Sequence, residues 1–100
     1  MPQRKIMVGA AQMGPISVAD TRASVIERLL DHLKHAKDRS CDLVVFPELT
    51  LTTFFPRNFY EDAAELEKYF EPSLPSPSTQ ALFNTAIDLG IGFYLGYAEK

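Results

Sequence analysis

The feature that most constrains this chain is the run Leu43-Val44-Val45-Phe46, closed by Pro47 and followed at once by Glu48. An unbroken apolar run with β-branched valines and no polar alternation describes a strand buried on both faces, as in a parallel sheet. Pro47 has no N–H to give to a ladder, so the strand ends there. Parallel strands are joined by crossovers, usually helical, so the flanking segments must supply helices and further strands.

They do. Residues 20–39 read as an amphipathic helix, with Asp20 as N-cap because its carboxylate can accept from the free N–H groups of the first turn. Val25, Ile26, Leu29, Leu30, Leu33 and Ala36 fall on one stripe; Glu27, Arg28, Asp31, Lys34, Lys37 and Asp38 take the rest. Before it, residues 5–12 read as a first buried strand, broken by Gly14-Pro15. Strand, helix, strand in this order makes a right-handed β-α-β unit.

Beyond Glu48, residues 48–57 form a loop dense in Thr, Phe and Pro. Residues 61–70 read as a short helix with Ala64 or Leu66 and Tyr69 or Phe70 inward. The proline-rich stretch 71–77 reads as a surface connection. Ser76 then caps a third helix with Pro77 at its first position. Leu82, Phe83, Ala86 and Ile87 are its apolar stripe, and Gly90 ends it as a left-handed cap. Residues 91–97 read as a third strand. The fold class is therefore α/β, in the order strand-helix-strand-helix-helix-strand. Three parallel strands leave a face or an edge uncovered, which marks the fold as incomplete as given.

Several function classes are excluded or disfavoured. The formal net charge of −3 gives no electrostatic footprint for nucleic acid or an anionic membrane. Arg4 and Lys5 precede the apolar run 6–11, but Gln12 interrupts it short of the ~7–15 residues of a signal-peptide core. No stretch approaches the ~18 apolar residues of a membrane span, so a cytoplasmic protein is expected. The single cysteine, Cys41, allows neither an internal disulfide nor a Cys-based zinc site. His32 and His35 lie on the polar helix face with no third ligand nearby, and a metal site is not expected.

Ligands of open parallel sheets bind beyond the carboxyl ends of the strands, where Glu48 lies. A carboxylate behind an apolar strand and a proline is expected to be partly desolvated, which raises its pKa toward that of a general base. The plainer alternative is that Glu48 caps a loop or meets an arginine at the surface. Cys41 precedes the strand that Glu48 follows; at roughly 3.3 Å per extended residue they are about 20 Å apart and cannot share a proton. Cys41 reads as a small buried packing residue. Phe54 and Phe55 either line a pocket or pack the loop against the sheet. Arg57 either forks onto a ligand carboxylate or joins an ion pair. Tyr94 and Tyr97 read as core or interface aromatics.

The segment Val44-Val45-Phe46-Pro47-Glu48-Leu49 resembles the glutamate motif of the carbon–nitrogen hydrolases, the nitrilase superfamily. Thr50-Leu51-Thr52-Thr53-Phe54-Phe55-Pro56-Arg57 narrows the resemblance to the N-carbamoyl-D-amino acid hydrolases. Gln12-Met13-Gly14-Pro15-Ile16, Ala64-Glu65-Leu66 and the stretch 89–99 are similar to the same branch. Asn58 departs from it, standing where an aromatic residue is expected, which touches pocket shape.

The resemblance implies that residues 1–100 are the N-terminal part of a single carbon–nitrogen hydrolase domain, an α-β-β-α sandwich with a Glu, Lys, Cys triad. Only the glutamate maps here, onto Glu48. The lysine and nucleophilic cysteine would lie beyond Lys100, and the fragment alone would be inactive and poorly folded. The implied activity converts N-carbamoyl-D-amino acids to D-amino acid, ammonia and carbon dioxide through a cysteine thioester. Phe54, Phe55 and Arg57 are candidate substrate contacts, no cofactor is needed, and a homo-oligomer is implied. The alternatives are an N-carbamoylputrescine or β-ureido amidase of the same superfamily, and an inactive truncated α/β binding module. A phosphoacceptor module is disfavoured, because it wants an Asp where this chain has Pro47-Glu48.

Overall fold

A computed structural model describes residues 3–100. Its elements are β1 (Val8–Ala10), α1 (Arg22–Asp38), β2 (Leu43–Val45), a 3-10 turn (Phe55–Arg57), α2 (Ala63–Glu67), α3 (Gln80–Leu89) and β3 (Gly92–Tyr94). The strands form one parallel sheet in the order β1-β2-β3, with Gly9 beside Val44 and Val44 beside Phe93. This is the expected α/β class, compatible with the N-terminal portion of a nitrilase-type fold.

The ladders are shorter than the apolar runs suggested, but pairing continues past their ends. Ala11 N–H donates to Val45 O (2.9 Å) and Phe46 N–H to Tyr94 O (3.0 Å). At the opposite end Asp42 closes the sheet. Its carboxylate accepts from Met7 N–H (2.9 Å), its N–H donates to Met7 O (2.8 Å), and its carbonyl accepts from Gly92 N–H (2.9 Å).

Helices α1 and α3 pack together over one face of the sheet. Val25, Ile26, Leu29, Leu33 and Ala36 from α1 meet Val44, Phe46, Leu82, Ala86 and Ile91 in one buried core. Each of the Val, Leu, Ile and Phe side chains withdrawn from water contributes about 1.5–3 kcal/mol, and that burial holds the helices on the sheet. Strand alternation sends the intervening residues the other way. Val8, Val45 and Tyr94 are accordingly exposed on the uncovered face.

Local details differ from the sequence reading. The N-cap of α1 is Thr21, whose hydroxyl accepts from Ser24 N–H (3.1 Å). Asp20 instead accepts from Ser17 N–H (2.8 Å), because the turn before the helix holds its carboxylate back. Arg28 is not merely a solvated-face residue. Its guanidinium donates to Gly14 O (2.6 Å) and Pro15 O (3.3 Å), tying the loop after β1 to α1.

Helix α3 starts a turn later than Ser76-Pro77. Ser76 N–H donates to Thr79 Oγ1 (2.8 Å) and Thr79 N–H to Ser76 O (3.0 Å), so the local hydrogen bonds make a closed turn ahead of the helix. Gly90 does end α3 in the left-handed region, at φ 66°. Ile87, placed on the buried stripe by spacing, is 76% exposed. Helix α2 is capped by Asp62 and ends at Glu67, short of the expected residue 70; Leu66 within it and Tyr69 just after it turn inward while Ala64 is exposed.

The stretch 71–77 is not a simple surface connection. Glu71 bridges in parallel to Glu99, with its N–H on Ala98 O and its carbonyl accepting from Lys100 N–H (2.9 Å). Its buried carboxylate pairs with Arg22 at the start of α1. Among the described residues no helix is long and apolar enough to cross a membrane.

Candidate active site

Glu48 lies where β2 leaves the sheet. Val44 and Phe46 are buried on the helix-covered face; Phe46 is held edge-on by His32 (6.4 Å) and Phe93 (6.3 Å). These contacts fix the strand immediately before Pro47. The neighbouring chain continues as a partner beyond β3: Phe46 N–H donates to Tyr94 O and Thr50 N–H to Gly96 O, each at 3.0 Å. Pro47, Glu48 and Leu49 therefore form a short excursion whose two ends are tied to one extended segment. Gly96 lies against this excursion: a Cβ there would stand in ordinary van der Waals contact, 3.4 Å from Glu48 Cα and 3.7 Å from Pro47 O.

Thr50 supplies the inner tie. It is fully buried, and its hydroxyl donates to the Pro47 carbonyl, closing a ring around Glu48. Neither Thr50 nor Gly96 stood out in the sequence. Thr50 is one of three threonines among residues 50–53, and its backbone partner Gly96 is 46 positions away along the chain.

The excursion borders a cleft of about 240 Å³ whose walls include Glu48, Thr53, Phe54, Arg57 and, from the loop after β1, Gly14 and Pro15. Three of the candidate residues thus come together: Glu48, Phe54 and Arg57. Phe54 is 40% exposed and the Arg57 guanidinium lies over its ring at 5.9 Å from the centroid. Phe55 does not join them. It is buried, stacked on Tyr69 at 4.9 Å and tilted against Phe70 at 5.5 Å, because the 3-10 turn that begins at Phe55 points it toward the end of α2. Phe55 thereby anchors its part of the loop on Tyr69 and Phe70, just after α2, while Thr50 and Leu51 hold the start of the loop on the sheet side.

The anticipated shielding of Glu48 is not present in these residues. Pro47 and Glu48 are both exposed: the chain steps out of the sheet after Phe46, and the segment at Gly96, the loop 13–16 and the turn at 52–57 leave Glu48 open to water. Arg57 is exposed and makes no ion pair among the described residues. Cys41 lies at the far end of β2, half-buried, in a separate hollow with Gly9, His32 and His35. It packs closely on Gly9, where a Cβ would meet its sulfur at 3.0 Å. Among the described residues no cluster of His, Cys, Asp or Glu has the makings of a metal site.

Fold and cleft together define an α/β protein that presents a carboxylate, an aromatic ring and a guanidinium beyond the carboxyl end of a central parallel strand. The carbon-nitrogen hydrolase family model matches residues 7–100. The chain belongs to that family, the nitrilase superfamily of hydrolases.

Proposed function

We propose that these residues are the N-terminal part of a single carbon–nitrogen hydrolase domain acting on N-carbamoyl-D-amino acids, with Glu48 as general base. The observation that carries this reading is the convergence of Glu48, Phe54 and Arg57 on one cleft at the end of β2. The cleft is smaller than the roughly 300–1,000 Å³ of ordinary small-molecule pockets, so the reading takes it as one wall of the site. Burial of Glu48 then comes from parts of the enzyme outside these residues, as do the nucleophilic cysteine and the lysine. Neither Cys41 nor Lys100 is assigned to those roles.

In the proposed reaction Glu48 takes the proton of the cysteine thiol, and the thiolate attacks the ureido carbonyl. The tetrahedral intermediate, its oxyanion held by the lysine, collapses as Glu48 returns the proton to the departing ammonia. A thioester of the N-carboxy amino acid remains. Glu48 next removes a proton from water, which attacks the thioester; the thiolate leaves and is reprotonated. The released carbamic acid loses carbon dioxide and yields the free amino acid. Phe54 contacts the side chain and Arg57 forks onto the substrate carboxylate. Phe55 serves as the anchor of the loop that carries them. The proposal includes a cytoplasmic homo-oligomer with no cofactor.

The test is turnover of the protein encoded by the complete reading frame. N-carbamoyl-D-amino acids, their L-enantiomers, N-carbamoylputrescine and β-ureidopropionate are compared by ammonia release. The D-amino acid derivatives are expected to give the highest kcat/KM. Glu48→Gln is expected to lower kcat by about 10²–10⁴-fold with unchanged circular dichroism. Near-wild-type turnover in that variant would remove Glu48 from the mechanism.

A further inference from the structure

We propose that Thr50 is a positioning residue for Glu48: its buried hydroxyl sets where the carboxylate stands in the cleft. The inference rests on Glu48 being the general base and adds a residue that touches neither substrate nor reacting atoms.

Thr50 is 0% exposed and is not part of the cleft wall, whereas Thr52 and Thr53 are. A buried hydroxyl is tolerated only when hydrogen-bonded, and a valine of the same shape would fill this space without that requirement. The hydroxyl's partner is therefore informative. It donates to the carbonyl of Pro47, the residue immediately before Glu48, while the Thr50 N–H donates to Gly96 O. One residue thus fastens both the near side of the excursion and its attachment to the adjacent strand segment. Leu51, next in sequence, is buried in the core and keeps Thr50 from moving. Pro47 cannot contribute a backbone N–H of its own, so its carbonyl is its one main-chain handle.

Loss of the hydroxyl frees the Pro47 carbonyl and lets the Pro47–Glu48 unit rotate about its fixed ends. General-base catalysis depends on the carboxylate being within hydrogen-bond reach of the proton it takes, and a displacement of about 1 Å can cost on the order of 10²-fold in rate. Phe54 and Arg57, to which the proposed function gives substrate binding, are not partners in this tie.

The experiment measures kcat and KM separately in the complete enzyme for Thr50→Val, Thr50→Ser and Glu48→Gln, with thermal melts of each. Thr50→Val is expected to lower kcat about 10- to 100-fold with KM changed less than about twofold, and Thr50→Ser to restore most of it. Wild-type kcat in T50V beside an inactive E48Q overturns the positioning role and leaves the base intact. Near-wild-type turnover in E48Q overturns the base and this inference with it. A T50V loss that equals its unfolded fraction at the assay temperature, with kcat per folded molecule at the wild-type value, assigns Thr50 to stability alone and also overturns the proposal. Should T50V fail to fold, Thr50→Ala against Thr50→Ser decides: equal kcat refutes the role, and a lower kcat in the alanine variant supports it.

Discussion

Replacing Arg22 by methionine tests the buried ion pair that fastens α1 to the stretch after α2. The Arg22 and Glu71 side chains are 26% and 6% exposed. The segment 98–100 holds the N–H and carbonyl of Glu71, so its carboxylate can leave the buried position only by a change of side-chain rotamer and not by movement of the main chain. Methionine keeps the length and apolar stem of Arg22 but removes the charge, leaving a buried carboxylate without a cation. Breaking a fully buried pair this way costs about 3–5 kcal/mol; partial water access at Arg22 brings the expectation to about 2–3 kcal/mol. Glu71→Gln alone leaves Arg22 free to reach water and loses one charge-assisted hydrogen bond, about 1–2 kcal/mol. The two changes must therefore be non-additive: in the R22M background, Glu71→Gln should raise stability, since a neutral amide no longer needs the cation. Urea unfolding of the complete protein followed by far-UV circular dichroism measures this. At about 1–3 kcal/mol per molar, R22M moves the midpoint down by about 1 M or more, and the double variant recovers part of it. If E71Q lowers the midpoint equally in both backgrounds, the pair behaves as a surface contact and the reasoning fails.

Arg57→Ala should raise KM for N-carbamoyl amino acids by about 10- to 100-fold with kcat little changed, the worth of a hydrogen bond to a charged group. An unchanged KM assigns the guanidinium to its stack on Phe54 and nothing more. Tyr97, half-buried with its hydroxyl donating to Glu99 (3.3 Å), has its pKa raised by burial and then by the Glu99 charge. A phenol raised in the folded state stabilises fully below its ordinary value of about 10 and loses that contribution as pH climbs through the raised value. Tyr97→Phe should flatten the decline in stability above about pH 10, read from melts across that range. An identical alkaline slope in both proteins would show that other groups cause it.

The sequence alone determined the α/β class, the order of elements and the strand end bearing Glu48. Each of these follows from local physics: a fully apolar run bounded by Pro47, a three-and-four spacing along α1, a glycine able to adopt positive φ at position 90. It also placed Cys41 and Glu48 at opposite ends of one strand, a matter of chain geometry. Tertiary structure decided the rest. Phe54 and Phe55 are adjacent and chemically identical, yet one faces the cleft and the other stacks on Tyr69, because the sense of a 3-10 turn selects which ring meets the segment after α2. Glu71 and Thr50 look like ordinary polar residues until Arg22, Gly96 and residues 98–100 are brought beside them. The exposure of Glu48 belongs to the same class of facts. Shielding depends on which surfaces surround the excursion after Phe46, and a strand's own composition carries no information about neighbours remote in sequence.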